Sequence, residues 1–347
     1  MHAALRSIFL LSCLVLAWPA RAATFCADSA AGIAQALDSA ENNGQADDIR
    51  IVSGSYVLAN GLVLSTHEAF GVSISGRWNP DCSAQTGAVT ALDGNNAVRI
   101  LYVSSDADSA LAVTDLYFTR GDGAAAPGGG ALTIETSARS VVIERNFFIG
   151  NRTASGSAGA ARVAVSTSDS RVTVRNNVVL GNSAPEGAGF VVNASIGNAY
   201  VTGNTIVANT ATIAGALCGG LCIAGASDFE VSNNILWSNT GADLHIGNTG
   251  SALLFFNDID AMSGSPPGGE GVGNVRVEPG FAPGLLNLQL APDSPLVNRG
   301  GYRIHGGVGD LDAARAPRHQ GITVDIGAYE TDVLLRDSFD GAGATSS

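Results

Sequence analysis

The sequence contains no lysine, because all 18 of its basic residues are arginine. Chemistry that needs a lysine amine is therefore excluded, which covers a Schiff base, a P-loop lysine and a lysine general base. If the protein is an enzyme that needs a strong base, an arginine has to supply it.

Charge is scarce, and positive charge is the scarcer of the two signs. Charged residues make up 14% of the chain, against about 25% in ordinary globular proteins, and the net charge is −13. An acidic chain repels the phosphate backbone of nucleic acids and anionic lipid surfaces, so we expect neither as a partner. Glycine is abundant instead, at 44 of 347 residues.

Long apolar runs are also missing, except near the N terminus, where residues 1–22 are typical of a secretory signal. Arg6 precedes an apolar stretch over 8–17, and Ala-Arg-Ala at 20–22 forms a small-residue cleavage site. The apolar stretch is too short to span a membrane. We therefore expect an exported protein without a transmembrane span.

Cysteine is rare, and export would leave four: Cys26, Cys82, Cys218 and Cys222. Four cysteines allow three pairings. The flexible Gly-Gly-Leu between Cys218 and Cys222 can close a small loop, which favours that disulfide and leaves Cys26 for Cys82. The alternative is a C-x-x-x-C metal or redox site, but no histidine lies nearby in sequence and the spacing is not the usual zinc spacing.

The main positive signal is an internal repeat after residue 110. Five segments align without gaps, with starts 30, 31, 27 and 30 residues apart, and a weaker sixth follows after 23. Short alternating runs preceded by glycine lie between them. Helical periodicity is absent, so we expect two or three strands of about 4 to 6 residues in each repeat. The segments start at Val113, Ile143, Val174, Val201, Val231 and Leu254.

Two columns of asparagine recur within these segments. The period and the short strands predict a single-stranded parallel β-helix, whose coils stack ~4.8 Å apart. An asparagine repeated at one turn position can then pass amide hydrogen bonds from coil to coil, which explains both columns without a catalytic role. The first column is Asn146, Asn177, Asn204, Asn234 and Asn257, and the second is Asn151, Asn182, Asn209 and Asn239.

The coils resemble those of bacterial right-handed parallel β-helix proteins with the pectate-lyase-like architecture. The first copies are also similar to the repeats of polymorphic outer-membrane proteins, through Gly-Gly-Ala-Leu at 129–132 and Phe-Ile-Gly-Asn at 148–151. Later copies keep the asparagine but replace the phenylalanine. The resemblance implies an all-β right-handed parallel β-helix, located outside the cell or on the bacterial cell surface or outer membrane.

The N-terminal part is similar to the entry module of many exported bacterial β-helix proteins. Asp28 or Ser29 is predicted to N-cap a short helix that ends near 43–44, with Ile33 and Leu37 on one face. In that module a cysteine before the helix pairs with one after the following strands, which implies the same N-terminal disulfide.

The C-terminal stretch resembles the choice-of-anchor Q module. The resemblance depends on Asp310, Asp312, Arg318 and the closing Asp-Ile-Gly-Ala-Tyr-Glu at 325–330, although Ala313 stands where the module usually has glycine. Because an open solenoid needs a cap at each end, we expect this module at the C-terminal end. The expected organisation is a signal peptide (1–22), an N-terminal cap with the first coils (23–92), β-helix repeats (93–262), the choice-of-anchor Q-like module (263–330) and a flexible tail (331–347).

Candidate catalytic residues are few. A polysaccharide lyase of this fold would need acidic side chains that neutralise a uronate, usually through Ca²⁺, and an arginine base. Asp115 and Glu144 occupy turn positions beside Arg145 and Arg175, one coil apart, and are the catalytic candidates. Such pairs are more often solvated surface salt bridges, which is the interpretation we prefer.

Two further sets of residues are candidates for binding. Asp310 and Asp312 are candidates for a Ca²⁺ site, since hard oxygen ligands in a loop suit this ion, but a turn or a pairing with Arg315 is the simpler explanation. The outward side of the glycine-led strands is polar but sparse. The expected outward residues of successive strands are Glu135, Arg162 or Ala164, Asn193, Ala224, and Asp243 or His245.

We therefore predict an exported, monomeric β-helix that binds carbohydrate or mediates surface contact, with no clear catalytic site and no required cofactor. The expected partner is a polysaccharide or a cell-surface glycan. The alternative is a pectate-lyase-like polysaccharide lyase that uses an arginine base and Ca²⁺. A third interpretation is a purely structural spacer.

Overall fold

The computed structural model of the protein describes residues 22–123, 128–284, 288–320 and 323–331. The predicted signal peptide, apart from its last residue, and the predicted tail after residue 331 lie outside these ranges. Within them the chain is an all-β parallel β-helix with one short helix, and the fold class predicted from the repeat is confirmed.

One helix, α1 (Ala30–Ala40), and 25 strands follow one another along the described chain. The strands are β1 (Ala23–Ala27), β2 (Asp47–Val52), β3 (Gly54–Val57), β4 (Leu62–Thr66), β5 (Val72–Trp78), β6 (Thr90–Asp93), β7 (Leu101–Ser105), β8 (Ala110–Thr114), β9 (Tyr117–Thr119), β10 (Leu132–Thr136), β11 (Ser140–Glu144), β12 (Phe147–Ile149), β13 (Ala161–Val165), β14 (Ser170–Arg175), β15 (Val178–Leu180), β16 (Ser183–Ala184), β17 (Phe190–Ala194), β18 (Gly197–Thr202), β19 (Thr205–Val207), β20 (Thr210–Ala211), β21 (Cys218–Ser232), β22 (Ile235–Trp237), β23 (Ala242–Phe255), β24 (Asp258–Ile259) and β25 (Met262–Ser263).

Successive coils place their strands on three parallel sides of the solenoid, which we call faces 1, 2 and 3. The long strands β21 and β23 continue round the corner from face 1 to face 2, and β16 pairs with β20 at the corner between faces 3 and 1. Face 1 consists of β4, β7, β10, β13, β17, the first halves of β21 and β23, and β25; face 2 of β1, β2, β5, β8, β11, β14, β18 and the second halves of β21 and β23; face 3 of β3, β6, β9, β12, β15, β19, β22 and β24.

Residues that align in the sequence repeat lie opposite one another on neighbouring strands of face 2. Val113 lies opposite Ile143, and Ile143 lies opposite Val174. The same column continues through the later coils to Leu254. One side chain per coil therefore stacks directly on its equivalent in the next coil, as the sequence predicted.

Inward side chains from all three faces form one apolar core. They alternate with outward side chains along each strand, as the pleat requires. Phe118 and Phe148 stack with ring centroids 4.9 Å apart, and Phe190 meets Phe148 edge-on at 5.1 Å. Because most inward positions have to be apolar, little of the chain is left for charged residues.

Helix α1 packs beside β4 and β1 at the N-terminal end of the solenoid. Ser29 is its N-cap, and the serine hydroxyl accepts a hydrogen bond from the backbone N–H of Gly32 at 3.1 Å. Ile33 and Leu37 are fully buried. The helix ends at Ala40, a few residues before the predicted end.

The C-terminal segment, described over residues 288–320 and 323–331, covers the outside of face 3 and not the open end of the solenoid. Its Leu290, Leu296 and Ile326 form one buried apolar cluster with the outward side chains of Val178 and Ile235. Outward positions of face 3 are thus mostly apolar, although Thr205 and Asp258 share the column of Val178 and Ile235. The apolar positions would form an exposed hydrophobic patch without this cover. The expected C-terminal cap is not seen in this segment; residues 264–284 follow the last coil instead, with Glu270 bridged to β23 and Val275 to β24.

Both predicted disulfides are present. Cys26 and Cys82 join β1 to the turn after β5, and Cys218 and Cys222 close a loop within β21. Since Cys218 and Cys222 are bonded to each other, they are not arranged as a metal site.

Candidate functional site

The first asparagine column forms a ladder at the corner between faces 2 and 3. Oδ1 of Asn177 accepts hydrogen bonds from the backbone N–H of Asn146 at 2.9 Å and from its Nδ2 at 3.2 Å. Nδ2 of Asn177 donates to the carbonyl of Ile143 at 2.9 Å, and each later coil repeats this pattern. The members are Asn146, Asn177, Asn204, Asn234, Asn257 and, beyond the predicted column, Asn274. The column acts on neighbouring coils and has no free group for chemistry.

The second column, at the far end of face 3, ends on an aspartate. Oδ1 of Asp243 accepts from the backbone N–H of Asn239 at 2.8 Å and from its Nδ2 at 2.6 Å. Asp243 is 1% exposed, so of the two candidates for the outward position, Asp243 and His245, it is His245 that lies there. The last member of a ladder only has to accept, which a carboxylate can do. The ladder runs through Asn151, Asn182, Asn209 and Asn239.

The four catalytic candidates come together at the corner between faces 2 and 3. Arg145 donates from Nε and Nη2 to the two carboxylate oxygens of Asp115, at 3.0 and 2.9 Å. Nη1 of Arg145 lies 2.8 Å from Oε1 of Glu144, and Nε of Arg175 donates to the same oxygen at 2.9 Å. The side chains of Asp115 and Glu144 are only 1% and 9% exposed. The preferred interpretation as solvated surface salt bridges is therefore wrong, because these pairs are buried.

These contacts keep both Asp115 and Arg145 in their charged forms. Burial alone would raise the pKa of Asp115, but the hydrogen bonds and charges of Arg145 and Arg315 hold that pKa below its usual value. Burial would lower the pKa of Arg145, but Asp115 and Glu144 hold it above its usual value. Arg145 thus stays protonated, and a role as a general base is disfavoured at this corner.

The corner turns through one residue per coil in the left-handed conformation. Asp115 has φ 60°, Arg145 54°, Asn176 55° and Asn233 55°, which Asp and Asn tolerate better than most residues do. Each of these four residues directly precedes the position that the first asparagine ladder occupies in its coil, which is Leu116 in the coil of Asp115. We call the four residues the corner column. Arg315 of the C-terminal segment donates from Nη1 to Asp115 at 2.9 Å.

Two asparagines of the corner column hold the C-terminal segment by its backbone. Asn233 donates to the carbonyl of Gly301 at 2.7 Å and accepts from its N–H at 2.8 Å. Asn176 donates to the carbonyls of Val308 and Leu311 at 2.9 and 3.0 Å. Sequence reasoning missed this role, although the recurrence of turn-forming residues just before the ladder was a signal.

The Ca²⁺ candidates do not converge. Both carboxylate oxygens of Asp312 accept backbone N–H groups, at 2.8 and 3.0 Å, and the residue is 1% exposed, whereas Asp310 is exposed. Arg315 pairs with Asp115 and not with Asp312. Among the described residues no group of three or more His, Cys, Asp or Glu side chains could hold a metal ion. The donor set therefore does not fit Ca²⁺, and Asp312 belongs to a turn.

Asp312 also belongs to a buried charged cluster around Arg318, which is fully buried. The guanidinium donates to the carbonyls of Tyr329 and Gly327 at 2.9 and 2.7 Å, and the Glu330 carboxylate lies 3.4 Å away. Burial raises the pKa of Glu330 to about 8, despite the opposing charge of Arg318. The cluster holds the closing turn of the C-terminal segment together.

The outward side of face 1 carries polar side chains in register. Arg162 and His245 lie in one row, and Ala164 lies in the row of Glu135, which settles the alternative left open by the sequence. The row that contains Glu135 is the first polar row, and it consists of Ser65, Ser104, Glu135, Ala164, Asn193 and Ala224.

A second polar row follows the corner where face 1 turns into face 2. His67 and Asp106 interact at 2.8 Å, and the hydroxyls of Ser137 and Ser166 lie 3.1 Å apart. Between the two rows lies a groove of ≈ 530 Å³ that extends over five coils, from β4 to β17. The corner row reads His67, Asp106, Ser137, Ser166 and Ser195.

Tyr102 lines this groove and is tied to its charged groups. Its hydroxyl donates to Glu135 at 3.0 Å, and Arg162 donates to the same carboxylate at 2.5 Å. The guanidinium of Arg99 lies 5.0 Å from the tyrosine ring centroid. Burial and the neighbouring Glu135 raise the pKa of Tyr102, so the phenol remains a hydrogen-bond donor.

Sequence reasoning found Glu135 and Asn193 but missed His67, Tyr102 and Asp106. These three residues come before the first aligned segment in the sequence, in coils that lack both asparagine columns. Only the strand register shows that β4 and β7 continue the same face.

No helix among the described residues has the length and apolar character needed to cross a membrane. Comparison of the chain with protein families, with curated proteins and with solved structures finds no significant match.

Proposed function

We propose that the protein is an exported β-helix that binds a glycan in the groove of face 1. The observation that carries this proposal is the pair of in-register polar rows along the groove, which present hydroxyl, amide and carboxylate groups over five coils. The equivalent outward positions on face 3 are mostly apolar and are covered by the C-terminal segment. Face 1 therefore offers the long polar surface that a linear ligand needs.

The chemistry of the groove suits sugars. Sugar hydroxyls both donate and accept, so they pair with serine hydroxyls, the Asn193 amide and the Asp106 and Glu135 carboxylates. Tyr102 adds an aromatic ring with a polar tip, a combination enriched at binding surfaces. Outward positions recur every ~4.8 Å along the axis, and each of the five coils contributes at least one polar side chain to the groove. A chain of sugars lying along the axis would therefore meet a polar group at each coil.

The resemblances in the sequence support the same proposal. The coils resemble pectate-lyase-like β-helices and polymorphic outer-membrane repeats, and the C-terminal motifs resemble a choice-of-anchor Q module. With the signal-like N terminus, these features favour a protein that acts outside the cell or on the bacterial surface, as a monomer that contacts polysaccharide.

The proposal is tested with two matched tyrosine variants. Tyr102 on face 1 and Tyr200 on face 2 are both outward residues with an arginine over the ring, at 5.0 and 4.4 Å. Affinity electrophoresis against polygalacturonate, alginate, xylan and a β-glucan should identify a retarding polymer. For that polymer, Tyr102→Ala should weaken binding roughly tenfold or more, and Tyr200→Ala should leave it unchanged.

Two results would count against glycan binding on face 1. One is that no polymer retards the native protein; the other is that both tyrosine variants lose binding equally. The same polymers, incubated with Ca²⁺ and followed by the ultraviolet absorbance of unsaturated products, test the lyase alternative. Turnover that disappears in Arg162→Gln would assign lyase chemistry to this groove instead.

A further inference from the structure

A second cleft lies between the corner column and the C-terminal segment, on another side of the molecule from face 1. Its volume is ≈ 650 Å³. Arg145 and Arg175 line it from the solenoid, and Arg315, Tyr302 and His319 line it from the C-terminal segment. The groove of face 1 shares none of these residues.

The guanidinium groups in this cleft are only partly used. Every nitrogen of Arg145 is engaged by Asp115 or Glu144. Arg175 uses Nε for Glu144, and Arg315 uses Nη1 for Asp115. Within the described chain, Nη2 of Arg175 and both Nε and Nη2 of Arg315 have no hydrogen-bond partner, while these side chains are 20% and 21% exposed.

Positive charge exceeds negative charge at the floor of the cleft. Besides the three lining arginines, Arg77 lies close enough to interact electrostatically with Asp115, Arg145 and Arg315. Arg77 is 6% exposed and forms no ion pair among the described residues. Four guanidinium groups are thus set against three carboxylates, the buried Asp115 and Glu144 and the exposed Asp310. Uncompensated charge in a partly buried site is costly, so an anion that enters would be stabilised.

The open nitrogens fit one kind of anion especially well. Arginine N–H groups match the two oxygens of a carboxylate, and such charge-assisted pairs are the stronger hydrogen bonds in proteins. The ring of Tyr302, 47% exposed at the rim, can pack against the apolar face of a sugar. The Gln85 amide and the exposed Asp310 carboxylate also line the cleft and can form hydrogen bonds with sugar hydroxyls.

We propose that this cleft binds a sugar carboxylate, with the acid group on Arg175 and Arg315 and the sugar ring beside Tyr302. This site is separate from the groove of face 1, and the proposal does not depend on glycan binding there. It gives the corner column a binding role in place of the catalytic one considered from the sequence.

The experiment titrates the full chain with galacturonate, galactose and inorganic phosphate by isothermal calorimetry. Galacturonate should bind, and galactose, which lacks the carboxylate, should not. Arg175→Gln and Arg315→Gln should each weaken galacturonate binding about tenfold or more. Arg276→Gln, which changes an exposed arginine paired with Asp260 elsewhere, should keep native affinity.

The outcomes separate the proposals. Arg315 also holds the C-terminal segment in place, so the fold of each variant is checked by circular dichroism and thermal unfolding. If Arg315→Gln is unfolded, the affinity of Arg175→Gln alone tests the proposal. Retained galacturonate binding in Tyr102→Ala shows that the cleft and the groove of face 1 are independent. Absence of galacturonate binding to the native chain, equal affinity in Arg175→Gln, or binding of phosphate in preference to galacturonate would overturn the proposal.

Discussion

At the scale of single residues, each ladder asparagine satisfies backbone groups of a neighbouring coil. Asn204 accepts from the N–H of Asn177 at 3.0 Å and donates to the carbonyl of Val174 at 2.9 Å. All three groups are buried, so no water can replace a lost partner at low cost. The sequence alone predicted this role, because an amide repeated at the coil period has the same neighbour above and below.

Replacing Asn204 by alanine should destabilise the solenoid strongly. The change leaves at least one buried N–H and one buried carbonyl without a hydrogen-bond partner, and each such group costs about 1–3 kcal/mol. We expect the free energy of unfolding, measured with a chemical denaturant, to fall by roughly 2–6 kcal/mol. Asn198→Ala, at an exposed position in β18, is the control and should stay within about 0.5 kcal/mol of native. Equal losses in both variants would contradict the ladder's role.

At the scale of strands, glycine sets how closely the coils approach at the start of face 1. A Cβ placed on Gly189 would lie 2.4 Å from the carbonyl oxygen of Gly220, and one on Gly159 would lie 2.6 Å from that of Ala188. The glycine-led runs of the sequence are therefore places where backbone packs directly on backbone. The strands themselves were predictable, since the alternating runs after each glycine follow the period of a pleated strand.

Gly189→Ala should cost about 1–3 kcal/mol, because the coil has to shift to admit a methyl group. Gly87 has no atom within 4 Å of a built Cβ, so Gly87→Ala should be near neutral. Thermal unfolding of the two variants under one condition measures the difference. If Gly189→Ala unfolds at the native temperature, close coil packing is not what requires glycine at this position.

At the scale of the whole molecule, buried carboxyl groups make stability depend on pH. Glu330, in contact with Arg318 and close to Asp312 and Asp325, has a pKa of about 8 against a usual 4.5. Burial likewise raises the pKa of Asp258 to about 7. The folded state thus prefers the protonated acids. Their contribution to stability is complete below the usual pKa values and is lost as pH rises through the folded ones.

The free energy of unfolding should therefore fall between about pH 5 and about pH 9. Glu330→Gln mimics the protonated acid and should flatten part of that decline. Glu270→Gln, at an exposed position, should not change its slope. Denaturant titrations at several pH values test this, and a native protein that gains stability toward alkaline pH would refute it.

The sequence by itself determined the β-helix, its register and its ladders, because these depend on contacts between equivalent residues one coil apart. A repeat of residue types at a fixed period records such contacts directly. The groove of face 1 was only partly visible, since its first coils carry no asparagine column to align.

Only the tertiary structure decided where the C-terminal segment lies and what it covers. Asp115 and Arg315 are 200 positions apart, and neither belongs to a pattern that pairs the two. Docking of that segment on face 3 depends on the shape and polarity of a finished surface, not on a period. This docking buries the salt bridges that were expected at the surface and forms a cleft beside them. The sequence could not predict it, because packing between non-repeating parts of a chain leaves no regular pattern in the sequence.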